Sequence, residues 1–515
     1  MVPDQAQPDH RPARGGVLAL LAVTLLFSVV CVWMVTPAPP AGFHWDDTWY
    51  LLMAEWLSMR PDTWELAWTM LHLRQYPPLF PFVLSLAGAG LGNTGTAYLL
   101  NAVILALAGG LAMFWFRVEG FALAAAVFGG ILVVFNPVAL HWLPALFSEH
   151  LYLLLTTAVL LLAALRRDWM PLWLVLGILL GLAVATRTTG WALVGAITVH
   201  LVIARKPVCL VLTLIGLTAG WLTIPYLMVG LPDAPGYLDQ FTELPYEPGV
   251  AFLVDQALAL FRGWSDLWGS TLAGLLVLAF ALPGWWLRLR KNRPDAWYVP
   301  AYVAILLAWP YPEHMNRFLW PLVPSVVVAV HAVLPRWRRW SLRAAPGSLL
   351  LAIVVLATVP DGLYRSVSRL VSPPPTELSA LSRMNEWTRS GDRATGIEVL
   401  RARQQLIADA QRIGELTSPA FCVYSELPAL ITAQAGRMAV ASPWENLQEA
   451  ADADQECPYY YLIPSGLPGS TPQAVRTFGA PHEELFRSFT RVGGEEEVLG
   501  IFYSLVPPSR SGSPQ

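Results

Sequence analysis

Charged residues are scarce in this sequence: 13% of its 515 residues carry a charge, whereas 55% are hydrophobic. Soluble globular proteins contain about 25% charged residues. The deficit excludes an ordinary soluble enzyme, a disordered protein and a nucleic-acid binder with a basic face. Cysteine is also rare, and the absence of a Cys-x-x-Cys pair excludes a zinc ribbon. Cys422 and Cys457 could pair if their part of the chain faces an oxidising compartment.

The few charges are unevenly distributed along the chain. Residues 372–515 contain 11 Lys and Arg against 17 Asp and Glu, and the long apolar runs all precede them. We therefore predict a cytoplasmic N-terminal tail (1–15), a transmembrane domain (16–371) and a soluble extracytoplasmic domain (372–515). Short apolar segments that alternate with helical stretches predict a small α/β fold for the last domain. Its predicted strands are 421–424, 438–441, 459–463 and 499–505.

Apolar segments of nearly the length that a membrane-spanning helix needs predict a mainly α-helical polytopic membrane protein with about 11 transmembrane helices. The predicted spans are 16–37, 96–116, 119–136, 148–165, 170–186, 188–204, 208–230, 267–287, 296–311, 317–335 and 347–364. Segment 78–92 is shorter. If it does not cross, the Lys and Arg clusters between the spans all face the cytoplasm, as the positive-inside rule requires. We therefore predict an interfacial or re-entrant helix there, with a full crossing as the alternative. The protein would be a multi-pass plasma (inner) membrane protein.

Polar side chains gather at the predicted outer face of this bundle, in the first external loop (38–77) and at the outer ends of later spans. They are Asp46, Asp47, Glu149, Glu313, Arg74, Arg187, Arg317, His44, His72, His141, His150 and His314. Polar groups concentrated at one membrane face predict a reaction site at that interface rather than a conduction path through the midplane.

Asp46 and Asp47 begin a segment with helical periodicity. Aspartate is favoured at the start of a helix, where its charge suits the helix dipole, and capping is one interpretation of the pair. The other is that one carboxylate is a general base. An adjacent like charge and a desolvated position beside the membrane both raise a carboxylate's pKa, and we predict a raised pKa here. The two roles are compatible.

Several short motifs lie in a fixed order on this face. They are Asp46-Asp47 followed by Tyr50 and Ala54, Tyr76-Pro77-Pro78-Leu79-Phe80-Pro81, Ser148-Glu149-His150-Leu151, Arg187-Thr188-Thr189-Gly190 and Asn316-Arg317-Phe318-Leu319-Trp320-Pro321-Leu322-Val323-Pro324. Together, over residues 15–365, they resemble the GT-C superfamily of membrane glycosyltransferases. The resemblance is to the bacterial branch related to protein O-mannosyltransferases, lipid A aminoarabinose transferases and Rgt-type lipopolysaccharide sugar transferases. The chain departs from that family in having Asp47 where Glu is common and Tyr76 where Lys or His is common, so Arg74 or His72 would substitute for the latter.

The resemblance implies that a sugar passes from a polyprenyl-phosphate-linked donor to an extracytoplasmic glycan, lipid or protein, with inversion at the anomeric carbon. It implies Asp46 as the general base and Asp47 as a second catalytic residue, and Asp47, Glu149 and His150 would orient the acceptor or a metal. The residues implied to bind the donor phosphate are Arg74, Arg187 and Arg317. Guanidinium groups stabilise a phosphate leaving group, although each arginine could instead simply extend from a helix end to water.

Two further features complete the predicted site. Its carboxylates and histidines suit a divalent metal, but their irregular spacing assigns no ligand, and no other cofactor is expected. The third external loop (231–266) is rich in Pro and aromatic residues and is expected to cap the cavity. Candidates for contacts to the sugar or for a lid are His44, Tyr50, His72, Tyr76, Tyr237, Tyr246, Trp264 and His314.

A transporter or flippase of lipid-linked sugars is the main alternative of another class. Such proteins often show two similar halves and polar residues near the midplane, and this sequence has no convincing internal repeat and almost no charge within its spans. A scaffold whose C-terminal domain binds a partner would not need acidic residues at the outer ends of the spans. The membrane glycosyltransferase is therefore the predicted function.

Overall fold

The computed structural model describes residues 14–36, 38, 45–59, 76–165, 169–227, 249–309, 312–337, 404, 406–415, 423–425, 427–436, 439–441, 459–462, 490–491 and 501–504. The predicted span 347–364 and the proposed domain boundary near 372 lie outside these residues. All that follows concerns the described part of the chain.

Helices make up most of the described chain before residue 338. They are α1 (Arg14–Met34), α2 (Trp45–Met59), α3 (Leu79–Leu86), α4 (Thr94–Val118), α5 (Leu123–Phe135), α6 (Pro137–Trp142), α7 (Glu149–Ala164), α8 (Met170–Thr186), α9 (Gly190–Ile203), α10 (Pro207–Trp221), α11 (Thr223–Leu227), α12 (Val250–Leu267), α13 (Thr271–Arg290), α14 (Pro294–Leu307), α15 (Met315–Leu319) and α16 (Val323–Trp337). Short 3-10 turns at Pro312–His314 and Trp320–Leu322 flank α15.

These helices coincide with the apolar segments of the sequence. Each predicted span up to 317–335 overlaps at least one of them. Five helical stretches are long and apolar enough to cross a membrane by themselves: Gly15–Met34, Thr94–Val118, Pro207–Leu227, Thr271–Arg290 and Met315–Val333. Shorter apolar helices pack beside them. The protein is therefore a polytopic helical membrane protein, while the exact number of crossings stays a prediction.

The segment that decided the predicted topology contains the short helix α3. Its eight residues rise about 12 Å, which is less than half of the roughly 30 Å hydrocarbon core of a bilayer. Gly88 follows with a φ of 71°, a left-handed conformation that favours glycine and ends the helix. This helix is by itself too short to cross, and the interfacial or re-entrant position of the segment stays a prediction.

Helix α8 packs closely against α10. This packing fixes the position of the end of α8, where the candidate Arg187 lies. Gly177 and Gly181 of α8 face Gly216 and Gly220 of α10, and a Cβ on Gly177 would lie 2.2 Å from the carbonyl oxygen of Thr213. Only glycine permits backbones to approach this closely.

Helix α4 runs between two groups of charged side chains. Its 25 residues are about 37 Å long, so it can pass through the full apolar layer. Near its first residue, Tyr98 contacts Asp47. Beyond its last residue, Glu119 pairs with Arg288 of α13, which also binds Asp295 of α14. We call Glu119, Arg288 and Asp295 the Arg288 cluster.

The described strands belong to the C-terminal part of the chain. They are β1 (Val423–Ser425), β2 (Ala439–Ala441), β3 (Tyr459–Leu462), β4 (Thr490–Arg491) and β5 (Ile501–Ser504), arranged in the order β2-β1-β3-β5-β4. Strand β1 is parallel to β2 and β3, whereas β5 is antiparallel to β3 and β4. The strands other than β4 lie at the segments for which the sequence predicts strands, but the extent of an α/β domain over 372–515 stays a prediction.

A helix between β1 and β2, α17 (Pro428–Ala435), contacts the membrane-domain helix α2. Ala429 of α17 shares an apolar cluster with Leu52, Met53 and Trp56 of α2. The C-terminal part therefore packs against the helix that carries the two aspartates.

Candidate active site

Asp46 lies in the first turn of α2, where a negative charge suits the positive end of the helix dipole. One carboxylate oxygen, Oδ2, accepts a hydrogen bond from Nη1 of Arg317 at 2.8 Å. The other, Oδ1, accepts one from the hydroxyl of Tyr76 at 3.1 Å. Its side chain keeps 22% of its surface exposed, so the carboxylate is oriented and still reachable from outside.

Asp47 points elsewhere and is completely buried. Its Oδ2 accepts a hydrogen bond from the Tyr98 hydroxyl of α4 at 2.8 Å, and its Oδ1 accepts one from Thr48 at 3.0 Å. A buried, hydrogen-bonded carboxylate of this kind attaches α2 to α4. The burial does not fit the expectation that Asp47 takes part in the reaction.

Glu149 joins two arginines from distant parts of the chain. It is buried in the first turn of α7, with Oε2 2.8 Å from Nη1 of Arg187 and Oε1 3.4 Å from Nε of Arg317. We call Asp46, Glu149, Arg187 and Arg317 the Asp46 cluster. Glu149 thus pairs with both guanidinium groups, and its predicted role toward an acceptor or a metal stays a prediction.

The two arginines occupy short turns at helix ends. Arg187 follows the last residue of α8 in an extended conformation, and α9 begins three residues later at Gly190. A Cβ at Gly190 would lie 2.7 Å from the backbone of Ala183, so the tight turn depends on glycine. Arg317 lies on the one-turn helix α15. Both turns therefore present a charged side chain at the same end of the bundle.

Aromatic rings surround the guanidinium groups. The Arg317 carbon Cζ lies 4.4 Å from the ring centre of Phe147, 5.0 Å from that of Phe318 and 5.8 Å from that of Trp142. Arg187 lies 5.1 Å from the ring centre of Phe318. Ring faces attract cations and also exclude water, which strengthens the electrostatic interactions of the cluster.

A serine links this cluster to the next turn of α2. The hydroxyl of Ser148 lies 3.1 Å from that of Tyr50 and accepts a hydrogen bond from Nη1 of Arg187 at 3.1 Å. The ring of Tyr50 packs edge-on against Tyr76. Two predicted sugar contacts, Tyr50 and Tyr76, are thus used within the protein to orient the cluster.

The prediction of a raised pKa for Asp46 is wrong. Burial by itself raises the pKa of this carboxyl group, but the adjacent Arg317, the nearby His314 and the hydrogen bond from Tyr76 outweigh it, and its pKa is lowered from the ordinary value. The sequence places a second carboxylate next to Asp46, whereas the fold turns Asp47 away and brings in a guanidinium group.

The remaining candidates differ in their positions. His314 lies close enough to Asp46 to affect its charge. His150 is completely buried with its ring edge-on to Trp320, so it offers no exposed surface to an acceptor. The indole of Trp264 donates a hydrogen bond to the Gly274 carbonyl at 2.8 Å and joins α12 to α13, which argues against its predicted contact with sugar. The candidates His44, His72, Arg74, Tyr237 and Tyr246 lie outside the described residues.

Within the described ranges, no three His, Cys, Asp or Glu side chains come together as metal ligands. The two carboxylates of the Asp46 cluster are already paired with arginines. The described donor set therefore does not fit a divalent metal.

The third external loop also differs from expectation, since α12 occupies its last part.

Four contacting residues were not singled out from the sequence. Ser148 and Phe318 stand only as members of quoted motifs, and Trp142 and Phe147 look like ordinary apolar residues of spans and loops. The available signal was their proximity in sequence to Glu149 and Arg317.

No family model and no curated protein matches the sequence. The structure is similar to ArnT from Cupriavidus metallidurans bound to undecaprenyl phosphate, with a TM-score of 0.52 and 15% identity over 98% of this chain and 100% of that chain. For ArnT in the apo state the TM-score is 0.51, at 15% identity over 96% of this chain and 98% of that chain.

The structure is also similar to the oligosaccharyltransferase of Archaeoglobus fulgidus in complex with Zn and sulfate. The TM-score is 0.51, with 14% identity over 87% of this chain and 67% of that chain. At these identities the similarity shows a shared fold.

Proposed function

We propose that this chain, which has the fold of the GT-C membrane glycosyltransferases, transfers a sugar from a polyprenyl-phosphate-linked donor to an acceptor outside the cytoplasm. The observation that carries the proposal is the Asp46 cluster. A reachable carboxylate lies beside two guanidinium groups at the same end of the bundle. A base for the acceptor and cations for a phosphate leaving group are the two things that such a reaction requires.

Asp46 is the proposed base. The hydroxyl oxygen of the acceptor attacks the anomeric carbon, its proton passes to the Asp46 carboxylate, and the bond from that carbon to the phosphate oxygen breaks. The electron pair stays on the phosphate, and a single displacement inverts the anomeric centre. Because its pKa is lowered, Asp46 is ionised at neutral pH. A weak base suffices, since the hydroxyl becomes acidic as its oxygen bonds to carbon.

Arg187 and Arg317 are the proposed ligands of the donor phosphate. A guanidinium group has five N–H donors and can hold a carboxylate and a phosphate oxygen at the same time. Glu149 keeps the two groups together, and Tyr76 orients the base. Asp47 has a supporting role, because its hydrogen bonds attach α2 to α4.

The class of donor is proposed from the fold and from the apolar surface. The ArnT structure similar to this one holds undecaprenyl phosphate. In this chain, exposed apolar side chains cover the spanning helices, as on Leu272 and Leu276 of α13, and offer lipid-like surroundings to an isoprenoid tail. Its phosphate would then reach the Asp46 cluster at the membrane edge.

The distribution of basic residues supports the proposed orientation. The end of α4 that lies away from Asp46 is rich in basic residues. Arg288 pairs with Glu119 there, and Arg290, Lys291 and Arg293 follow Arg288 closely in the sequence. Basic residues are enriched on the cytoplasmic side of membrane proteins. The Asp46 cluster and residues 372–515 would accordingly lie outside the cytoplasm, and the N-terminus inside.

A comparison of the wild-type protein with Asp46→Asn tests the proposal. Each is purified from host membranes, and co-purifying lipids are identified by mass spectrometry. The proteins are then returned to vesicles with lipid-linked sugars and an envelope extract from the host. We expect the wild type to release free polyprenyl phosphate, and Asp46→Asn to do so at least about 100-fold more slowly while retaining the lipid.

Asp255→Asn is the matched control, because Asp255 is an exposed carboxylate of α12 outside the Asp46 cluster. It should release polyprenyl phosphate as fast as the wild type. Equal rates for Asp46→Asn and the wild type would reject Asp46 as the base. Movement of the intact lipid-linked sugar across the vesicle membrane without its cleavage would favour a flippase instead.

A further inference from the structure

Phe318 contacts both arginines of the Asp46 cluster. Its ring centre lies 5.1 Å from Cζ of Arg187 and 5.0 Å from Cζ of Arg317. Arg187 lies between α8 and α9, whereas Arg317 precedes Phe318 directly in α15. One buried ring is therefore shared by two cations from distant parts of the chain.

Two guanidinium groups in one partly buried place repel each other. Glu149 supplies one negative charge between them. The face of an aromatic ring carries a partial negative charge and attracts cations most strongly where water is excluded. The ring of Phe318 therefore attracts both guanidinium groups and offsets part of their mutual repulsion. It uses none of their N–H donors.

Hydroxyl groups on the spanning helices hold the backbone of both turns. Tyr302 of α14 is fully buried and donates a hydrogen bond to the carbonyl oxygen of Phe318 at 2.8 Å. Tyr152 of α7 donates one at 3.2 Å to the carbonyl oxygen of Thr189, two residues after Arg187. The backbone of both turns is thus hydrogen-bonded to side chains of neighbouring helices, which limits the movement of the Phe318 ring.

We propose that Phe318 is a positioning residue, whose ring holds the guanidinium groups of Arg187 and Arg317 together as one clamp for the phosphate of the lipid donor. Tyr302 fixes the ring through the carbonyl group of Phe318. The inference rests on the proposed function, because it names how the donor-phosphate site is built. It concerns phosphate recognition, which a lipid phosphate and inorganic phosphate share.

The test measures the binding of undecaprenyl phosphate to the full chain in detergent, with inorganic phosphate as a competitor. Phe318→Leu should weaken binding about tenfold, because both cations lose their shared ring. Phe318→Trp keeps an aromatic face and should bind within about threefold of the wild type. A role in packing alone predicts the opposite order, since Trp fits the space of Phe less well than Leu does.

Two variants serve as comparisons. Phe147 lies 4.4 Å from Arg317, and no contact between its ring and Arg187 is seen. Phe147→Leu should therefore weaken binding less than Phe318→Leu, although its ring is nearer to a guanidinium group. Phe116→Leu makes the same change at a buried ring that packs on Phe121, outside the Asp46 cluster, and should leave binding unchanged.

Tyr302→Phe provides a second, milder test that keeps every ring. It removes the hydrogen bond to the Phe318 carbonyl and should weaken binding about threefold to tenfold. If Phe318→Leu does not yield folded protein, the binding of undecaprenyl phosphate to Phe318→Met and Tyr302→Phe tests the positioning role instead. Wild-type affinity in both of these, or an equal or greater loss in Phe147→Leu, would overturn the inference.

The same experiment separates the inference from the proposed function. If the wild type binds undecaprenyl phosphate and Phe318→Leu binds it equally well, the positioning role is rejected and the proposed donor stands. If the wild type does not bind undecaprenyl phosphate, the proposed donor is rejected. If inorganic phosphate displaced undecaprenyl phosphate at an equal concentration, the ligand would be free phosphate rather than the lipid. That result would reject the donor clamp.

Discussion

The two ends of α4 carry charged clusters that differ in construction. In the Arg288 cluster, Nε and Nη2 of Arg288 each donate to one oxygen of Asp295 at 2.6 Å, and Nη1 donates to Glu119 at 2.9 Å. The side chains are between 4% and 8% exposed. In the Asp46 cluster, Asp46 receives a single donor from Arg317, and its side chain is 22% exposed.

If the proposed function is right, the difference means that burial of an ion pair does not by itself define a functional site. Arg288 uses its planar fork on one carboxylate and its remaining edge on another, an arrangement that orients all partners and stabilises three helix ends. In the Asp46 cluster the same residue types meet through single contacts, between aromatic rings and close to water. Such an arrangement can exchange an internal contact for one with a ligand.

The largest effect on stability is expected at the Arg288 cluster. Arg288→Met removes the cation and leaves two buried carboxylates without their partner, so the free energy of unfolding should fall by about 3–5 kcal/mol. Thermal unfolding in detergent measures the loss. Arg187→Met is the matched variant, and it should cost less because Glu149 keeps its contact with Arg317.

The two variants should also differ in ligand binding. Arg288→Met, in its folded fraction, should bind undecaprenyl phosphate as the wild type does, whereas Arg187→Met should bind it weakly. A greater loss of stability in Arg187→Met than in Arg288→Met would show that the distinction between the clusters is wrong.

A smaller effect is expected where Asp47 attaches α2 to α4. Tyr98→Phe removes a hydrogen bond to a buried carboxylate and should lower the free energy of unfolding by about 1–3 kcal/mol. Tyr50→Phe, which loses a bond to the neutral Ser148, should cost less. Chemical denaturation of both variants measures the difference. If Tyr98→Phe left stability unchanged and abolished transfer, Asp47 would belong to the reacting groups.

The smallest effect concerns the pH dependence of transfer. In the proposed reaction Asp46 acts as a base when ionised, and because its pKa is lowered, we expect activity to persist as the pH falls to the ordinary range of a carboxyl group. Tyr76→Phe removes a hydrogen bond that favours the ionised form, so the pKa rises and the acidic limb of kcat/KM moves to higher pH.

The same change has a consequence for stability. A carboxyl group with a lowered pKa in the folded state stabilises the fold above its unfolded pKa and loses this contribution as the pH falls through its folded pKa. Tyr76→Phe raises the folded pKa of Asp46 and leaves its unfolded pKa unchanged, so the loss of stability should be smaller and should be complete at a higher pH. If the acidic limb of kcat/KM lay at the same pH in Tyr76→Phe and in the wild type, this would contradict the hydrogen bond from Tyr76 to Asp46.

Most of the helical fold could be predicted from the sequence, because long apolar runs directly reflect the lipid-like surroundings of a span. The short helix α3 was predictable because the apolar segment that contains it is too short to cross and the basic clusters required it not to. The length of α3, eight residues, could be known only from the structure, because its end depends on the turn at Gly88. Polar residues at span ends also stand out, and they include Asp46, Glu149, Arg187 and Arg317.

Partners within the site could not be predicted in the same way. The opposite directions of Asp46 and Asp47 depend on which helices are neighbours, and this arrangement reversed the expected pKa shift. The roles of Phe318 and Trp264 were equally hidden, since an aromatic residue near a span end can face a cation, a lipid or another helix. Local patterns identify polar groups, whereas packing determines their partners.

The most direct test of the account is the position of a bound lipid phosphate. Electron cryomicroscopy of the full chain in a lipid nanodisc with undecaprenyl phosphate would show it. We predict phosphate density within hydrogen-bond distance of Arg187 and Arg317, with Asp46 facing the side from which an acceptor arrives. Phosphate density at the Arg288 end of α4, or bound lipid with its phosphate away from the Asp46 cluster, would contradict it.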